Sequence, residues 1–493
     1  MKQRSSGVLM HISSIPSDYG IGTMGRESYK FVDFLKKSGQ SYWQFLPLCQ
    51  PDPAGWSPYS SYSTFSGNFC FIDFDLLEED GYLKKSDYAA INWGSDETSV
   101  DFDKVSSNKI DVLKIAYKNW IKTNKKRIAD FVKENKWADD YAMFMALLSF
   151  NDKKCWWDWK DKYKFRDEKA LNEFKIEHED DVNFWLFTQI VFLDQWNLLK
   201  QYANKQGIGL IGDIPIYVSG NSSDVWTNPD DFCLDENMMP AKVAGCPPDA
   251  FAKDGQRWGN PIYNWKKMKK ENYTWWCERL RAYKNMYDVV RIDHFRGFDS
   301  YYSIDASEKT AKNGEWVKGP GIDLFNVIKD QLGEIDIIAE DLGYVTDSVR
   351  QLIKATGFPG MKILEMAFDP LEESDYMPHN YDSNCVVYVG THDNDTAIGW
   401  FNGVDSETRE LCKEYLNIGL FEGVNWGMIR GSMASVAKLS ITQMQDFLEL
   451  GSEARMNIPG TVGINWKWRM KKGAATEQLS EKIYHITKMY GRI

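Results

Sequence analysis

The sequence predicts a (β/α)8 barrel, the TIM-barrel class of α/β fold, with large helical and loop-rich insertions around the C-terminal mouth. Three observations predict it. Eight short apolar runs end in polar or charged residues, at 8–12, 42–48, 208–218, 288–293, 335–341, 361–368, 386–393 and 441–448. Helical patterns separate most of them, and strands alternating with helices imply parallel sheet. The chain has 493 residues, a length that suits a barrel with insertions.

Taken in order, the first run precedes a helical pattern over 27–37, and the second run follows it. Residues 50–180 then interrupt the alternation. Leu113, Tyr117, Trp120 and Ile121 share one helical face there, so the segment is expected as a largely helical insertion after strand 2. A helical pattern over 184–203 leads into the third run. Residues 219–283 carry Pro229, Pro240, Pro247, Pro248 and Pro261 and are expected as a loop-rich insertion after strand 3. The basic run 266–270 inside it reads as a solvated face. From 288 onward the alternation resumes, with a helix expected over 347–355. The expected organisation is one barrel catalytic domain over 1–493, with both insertions walling one mouth.

Composition narrows the partners. The net charge of −12 repels nucleic-acid phosphates and anionic lipid, so no nucleic acid and no membrane is expected as a partner. No stretch of about 18 apolar residues appears and residues 1–16 carry no secretory signal, so a cytoplasmic location is expected. The eight Cys stand singly without a CxxC pair, and are expected reduced and structural. Aromatic residues make up 14% of the chain, including 20 Trp. Most belong in a large core, and some suit the stacking of a neutral ligand.

The informative feature is where the acids fall. Asp213 lies in Ile211-Gly212-Asp213-Ile214-Pro215, and Asp293 ends Val289-Val290-Arg291-Ile292-Asp293. Glu340 and Asp341 end the run at 335–341, and Asp393 ends the run at 386–393. Strand C-termini converge on one barrel face, so these carboxylates are expected in one pocket. A buried acid cluster is costly unless it is paired or used. Arg291 lies two residues before Asp293, on the same side of its strand, and can hold that carboxylate ionised. His11, His294 and His392, three of the six His, fall in the same strand-end strings and suit a pocket that binds hydroxyl groups. The alternative for any one of these acids is a helix N-cap or loop role.

Other chemistries lack their signatures. There is no HExxH, so no metal is expected, and no GxSxG for a nucleophilic serine. The GxGxxG match at 20–25 does not follow its strand directly and lacks the acidic residue a dinucleotide site needs. It is expected to shape a loop, and no cofactor is expected. Two carboxylates without metal fit glycoside chemistry, in which a retaining pair sits roughly 5 Å apart. Neighbouring strand ends at Asp293 and Glu340 supply that spacing.

Seven ordered strings carry a family resemblance: Trp56-Ser57-Pro58-Tyr59-Ser60-Ser61, Gly212-Asp213-Ile214-Pro215-Ile216-Tyr217-Val218, Gly245-Cys246-Pro247-Pro248-Asp249, Gly255-Gln256-Arg257-Trp258-Gly259-Asn260-Pro261, Arg291-Ile292-Asp293-His294-Phe295-Arg296-Gly297, Ala339-Glu340-Asp341-Leu342-Gly343 and Gly390-Thr391-His392-Asp393-Asn394. Together they resemble the amylomaltases, or 4-α-glucanotransferases, relatives of the α-amylase clan. The likeness extends to Asn465-Trp466-Lys467-Trp468-Arg469.

The resemblance implies Asp293 as nucleophile, Glu340 as general acid/base and Asp393 as the third carboxylate, binding the 2- and 3-hydroxyls of the central glucose. It implies that Arg291 supports Asp293, that His294 and His392 bind sugar hydroxyls, and that Asp213 organises the pocket. Tyr59 would be a stacking platform, Pro248 and Asp249 a closing loop with Trp258 nearby, and Asn465 and Trp466 flanks of the cleft. The implied partners are maltooligosaccharides, starch- or glycogen-type 1,4-α-glucans and glucose. Cys246 and Met366 stand where an aliphatic and an aromatic residue are usual, which bears on loop packing and acceptor-side stacking. No C-terminal β domain is visible after Arg469, as in the transferase branch. Two alternatives remain: an α-1,4-glucan hydrolase using the same acids, and a non-catalytic glucan-binding barrel.

Overall fold

The computed structural model describes residues 4–248, 253–343, 345–419 and 421–493. Among the described residues, twelve strands form two sheets. They are β1 (Ser5–Leu9), β2 (Tyr42–Gln44), β3 (Gly209–Pro215), β4 (Lys242–Cys246), β5 (Gln256–Pro261) and β6 (Val289–Asp293), then β7 (Ser300–Asp305), β8 (Gly314–Lys318), β9 (Ile337–Ala339), β10 (Gly360–Ile363), β11 (Cys385–Tyr388) and β12 (Leu439–Gln443).

Eight of them make the barrel, in the order β10-β11-β12-β1-β2-β3-β6-β9, every pair parallel. The two ends of that order meet where the Ala339 N–H donates to the Pro359 carbonyl at 2.9 Å. The fold class is the one the alternation of runs and helices predicts. Its strands are buried on both faces, which is why they read as continuous apolar runs. Where strand and run differ in extent, small or polar buried residues are the cause. Strand β1 begins at Ser5 because Ser5, Ser6 and Gly7 are buried without being apolar. At Gly212 on β3 a Cβ would lie 2.3 Å from the Tyr287 ring, so only glycine lets that aromatic close on the strand.

Helices cover the barrel through amphipathic faces. Helix Arg26–Lys37 buries Phe31, Val32, Phe34 and Leu35. Helix Asp347–Thr356 starts at Thr346, whose hydroxyl accepts the Val349 N–H, and stops at Gly357 in the left-handed region at φ 71°. The last helix, Glu477–Met489, packs against Arg26–Lys37, and no separate β domain follows the barrel among the described residues. No helix among the described residues is long and apolar enough to cross a membrane.

Between β2 and β3 the chain is largely helical. Helix Phe102–Glu134 runs about 50 Å and buries Val105, Val112, Leu113, Ala116, Tyr117 and Trp120, none of them in its last third. Helices Trp137–Phe150 and Glu179–Lys205 pack beside it. Residues 219–283 hold more regular structure than their prolines suggest. They contain β4, β5, helix Trp265–Lys270 and most of helix Thr274–Met286. Strands β4 and β5 pair antiparallel with each other, and β4 pairs with β7, which follows barrel strand β6. The resulting order is β5-β4-β7-β8, over a small core of Val243, Tyr302, Ile304 and Ala311.

Candidate active site

The barrel register places the acids. Ile292 on β6 pairs with Ala339 on β9, so Asp293 and Glu340 occupy the next step of two adjacent parallel strands. Strand spacing of roughly 4.8 Å then sets the two backbone positions side by side. Asp213 on β3 pairs with Arg291 on β6, one layer deeper.

Arg291 links the two layers. Its Nη1 donates to both Asp213 carboxylate oxygens at 2.7 Å, and its Nη2 donates to Asp293 Oδ1 at 3.0 Å. Asp213 is fully buried, and its second ligand is the Tyr59 hydroxyl, which donates to Oδ2 at 2.7 Å. Asp213 thus holds the guanidinium that holds Asp293, beneath the cleft and outside its lining.

His294 has φ 51°, a left-handed conformation uncommon for a residue with a Cβ. This turn aims its backbone N–H at Glu340 Oε2, 2.6 Å away, while the Leu342 N–H donates to Oε1 at 2.8 Å. Burial, followed by the negative charge of Asp293, pushes the Glu340 carboxyl well above the usual carboxylate range. Burial also raises Asp293, against the pull of Arg291. The Asp293 side chain keeps 28% of its surface exposed, so solvent and guanidinium together favour its anion. At neutral pH the pair therefore holds one proton, on Glu340. Burial and the charge of Arg296 lower His294 to about 3, so its imidazole is neutral.

Asp393 enters from the loop after β11. Its Oδ2 lies 3.3 Å from His392 Nε2, and its Oδ1 accepts from Asn457 Nδ2 at 2.6 Å. Arg455 donates through Nη2 to the Asp393 carbonyl and through Nε to the Asn457 carbonyl, both at 2.8 Å. The Asn457 N–H donates to the His392 carbonyl at 3.0 Å. The segment after β12 therefore clamps the third carboxylate from behind.

Asp293, Glu340 and Asp393 line one cleft of about 1090 Å³, together with Tyr59, Trp258, Arg291, His294, His392 and Trp466. The Tyr59 ring lies over His392 at 5.2 Å and 17°, and Trp466 tilts against both. Trp258, carried in by β5, meets His294 edge-on at 4.9 Å. Two expected residues sit elsewhere. Asn465 turns into its own loop, accepting the Ile458 N–H and donating to the Thr461 carbonyl, and is absent from the cleft lining. Pro248 is exposed beyond the lining, and Asp249 lies outside the described residues. Among the described residues no group of three His, Cys, Asp or Glu is arranged to hold a metal ion.

The sequence reading missed Asn457, Arg455 and Glu365. The signal available for the first two was a polar pair beside Pro459-Gly460 in the loop after the eighth strand, a place where barrels build sites. Glu365 lines the cleft while 6% exposed, and burial, then Asp446 and Asp395, raises it well above the carboxylate range. On the expectation that Asp393 takes part in the chemistry, Asn457→Ala should lower kcat by roughly 10²-fold, the cost of a small misplacement. Steady-state kinetics on maltotriose checks this, and a KM-only change would contradict it.

Comparison with known proteins gives a consistent result. The profile of a family described as 4-alpha-glucanotransferase matches residues 10–476. The 4-alpha-glucanotransferase of Clostridium butyricum is 51% identical over 486 residues, covering 98% of this chain and 100% of that one. The 4-alpha-glucanotransferase of Thermus thermophilus is 42% identical over 492 residues, covering 97% of each. The amylomaltase from Streptococcus agalactiae, solved in complex with acarbose, superposes with a TM-score of 0.97 at 43% identity, covering 99% of this chain and 100% of that one.

Proposed function

The chain belongs to the 4-alpha-glucanotransferase family, and from that premise we propose that Asp293, Glu340 and Asp393 carry a retaining transfer of 1,4-α-glucan segments. The reading is supported above all by one observation: two carboxyls one register step past a parallel strand pair, the first bonded to a guanidinium and the second to backbone amides.

In the first step the Asp293 carboxylate attacks C1 of the donor glucose. The C1–O4 bond breaks, and the Glu340 proton goes to the leaving O4. Forming the ester removes the charge of Asp293, which lowers the proton affinity of Glu340. Glu340 then takes the proton from the 4-hydroxyl of glucose or another glucan, whose oxygen attacks C1 and releases Asp293. Asp393 accepts hydroxyl protons of the central sugar. His392 and His294 bind hydroxyls, Tyr59, Trp258 and Trp466 offer flat faces, and Asp213 and Arg291 hold the nucleophile. Pro248 and Asp249 are kept as substrate-binding residues, Asp249 lying outside the described residues, and Asn465 braces the loop carrying Trp466. Donors and acceptors are maltooligosaccharides, starch- or glycogen-type 1,4-α-glucans and glucose. One catalytic unit spans the chain, with 50–180 and 219–283 as walls.

Water in the acceptor position would give hydrolysis. Maltotriose separates the outcomes: a ladder of longer oligomers plus glucose supports transfer, and small sugars alone would refute it. The pH profile of kcat/KM should be a bell. Activity needs Asp293 ionised, so the acid limb lies above the usual aspartate range. It needs Glu340 protonated, so the alkaline limb lies above the usual glutamate range. Glu340→Gln should remove the alkaline limb from the residual activity, and a surviving limb there would assign it to another group.

A further inference from the structure

Helix Thr274–Met286 packs against β6, and its Arg279 is fully buried. Burying a guanidinium is costly unless its donors are used. Nε donates to the Thr64 hydroxyl at 2.7 Å, Nη1 to the Ile216 carbonyl at 3.1 Å and Nη2 to the Pro215 carbonyl at 2.6 Å. None of these acceptors is charged. Asp224 lies across Thr64, accepting its N–H at 2.8 Å, and supplies a counter-charge. The indoles of Trp275 and Trp276 flank the guanidinium, with Cζ 5.4 and 4.9 Å from their ring centres.

The acceptors identify the task. Strand β3 ends at Pro215, which pairs with Asp293 on β6. Past that point the chain leaves the ladder, and its carbonyls need other donors. The Ile216 carbonyl receives both Arg279 Nη1 and the buried Tyr263 hydroxyl, the latter at 2.7 Å. The Ile216 side chain, held this way, packs on the turn after Asp293. A Cβ added at Gly297 would lie 2.7 Å from Ile216 Cδ1. That turn keeps His294 at φ 51°, the conformation that aims its N–H at Glu340 Oε2. The path from the helix to Glu340 thus runs through a carbonyl, an isoleucine and a backbone amide.

We propose that Arg279 and Tyr263 are positioning residues for the transfer reaction. They clamp the end of β3 so that Ile216 holds the His294–Gly297 turn, and with it the amide that orients Glu340. Neither side chain lines the cleft. The proposal rests on Glu340 acting as the acid/base.

Two variants test it. Arg279→Lys keeps the charge and cannot span the same acceptors. It should lower kcat for maltotriose about 10²-fold, with KM within about twofold of the parent. Tyr263→Phe takes one donor from Ile216 and should lower kcat about fivefold, the weight of one hydrogen bond. In both, amide hydrogen exchange should quicken in the peptide covering 293–298 and keep the parent rate in peptides from β11 and β12. Exchange that quickens everywhere alike, exchange unchanged at 293–298, or a loss carried by KM alone would overturn the proposal. Should Arg279→Lys fail to fold, Tyr263→Phe decides by the same readings. Full activity in Glu340→Gln protein would instead sink the acid/base reading, and the exchange rates would still judge the clamp.

Discussion

Asp293→Asn should lower transfer from maltotriose by roughly 10⁴–10⁶-fold, the loss seen when a covalent nucleophile is removed. The amide is close to isosteric and can still meet Arg291 Nη2 through its oxygen, so the fold should persist. KM should change little, because the sugar contacts assigned to Tyr59, His392 and Asp393 remain. The check is single-turnover and steady-state kinetics beside a thermal unfolding curve. Turnover within tenfold of the parent would remove Asp293 from the chemistry.

Arg291→Leu should be the most destabilising single change in the site. Asp213 is fully buried and takes both of its short guanidinium bonds from Arg291, leaving only the Tyr59 hydroxyl among the described residues once that side chain is gone. Breaking a buried ion pair by removing one partner costs about 3–5 kcal/mol. Activity should fall as well. Loss of the guanidinium removes the charge that opposes the burial effect on Asp293, so its carboxyl rises further and the acid limb moves to higher pH. Urea unfolding and the pH profile read the two effects separately. An unchanged midpoint would mean that Asp213 finds another partner, and an unmoved limb that Arg291 does not set the charge of Asp293.

Much of this was legible in the sequence because barrel strands announce themselves. They are buried on both faces, and their C-terminal ends must share one mouth, so Asp293, Glu340 and Asp393 could be grouped before any coordinates. Strand ends were less legible, since Ser5, Ser6, Ser440 and Thr442 are buried yet polar. The second sheet was missed because β4 finds its partner β7 across barrel strand β6, a pairing no local pattern records. The same limit hid Asn457, whose bond to Asp393 spans 64 residues. Asn465 shows the opposite case: its amide bonds its own loop and does not line the cleft, while the adjoining Trp466 does.

The most direct test is to trap the covalent step. Glu340→Gln protein given an activated α-glucosyl donor, whose leaving group needs no proton, should accumulate the glycosyl ester. Peptide mass spectrometry should then place one added glycosyl mass on the peptide containing Asp293. An adduct on any other carboxylate, or a product of inverted anomeric configuration with no adduct at all, would contradict the central claim.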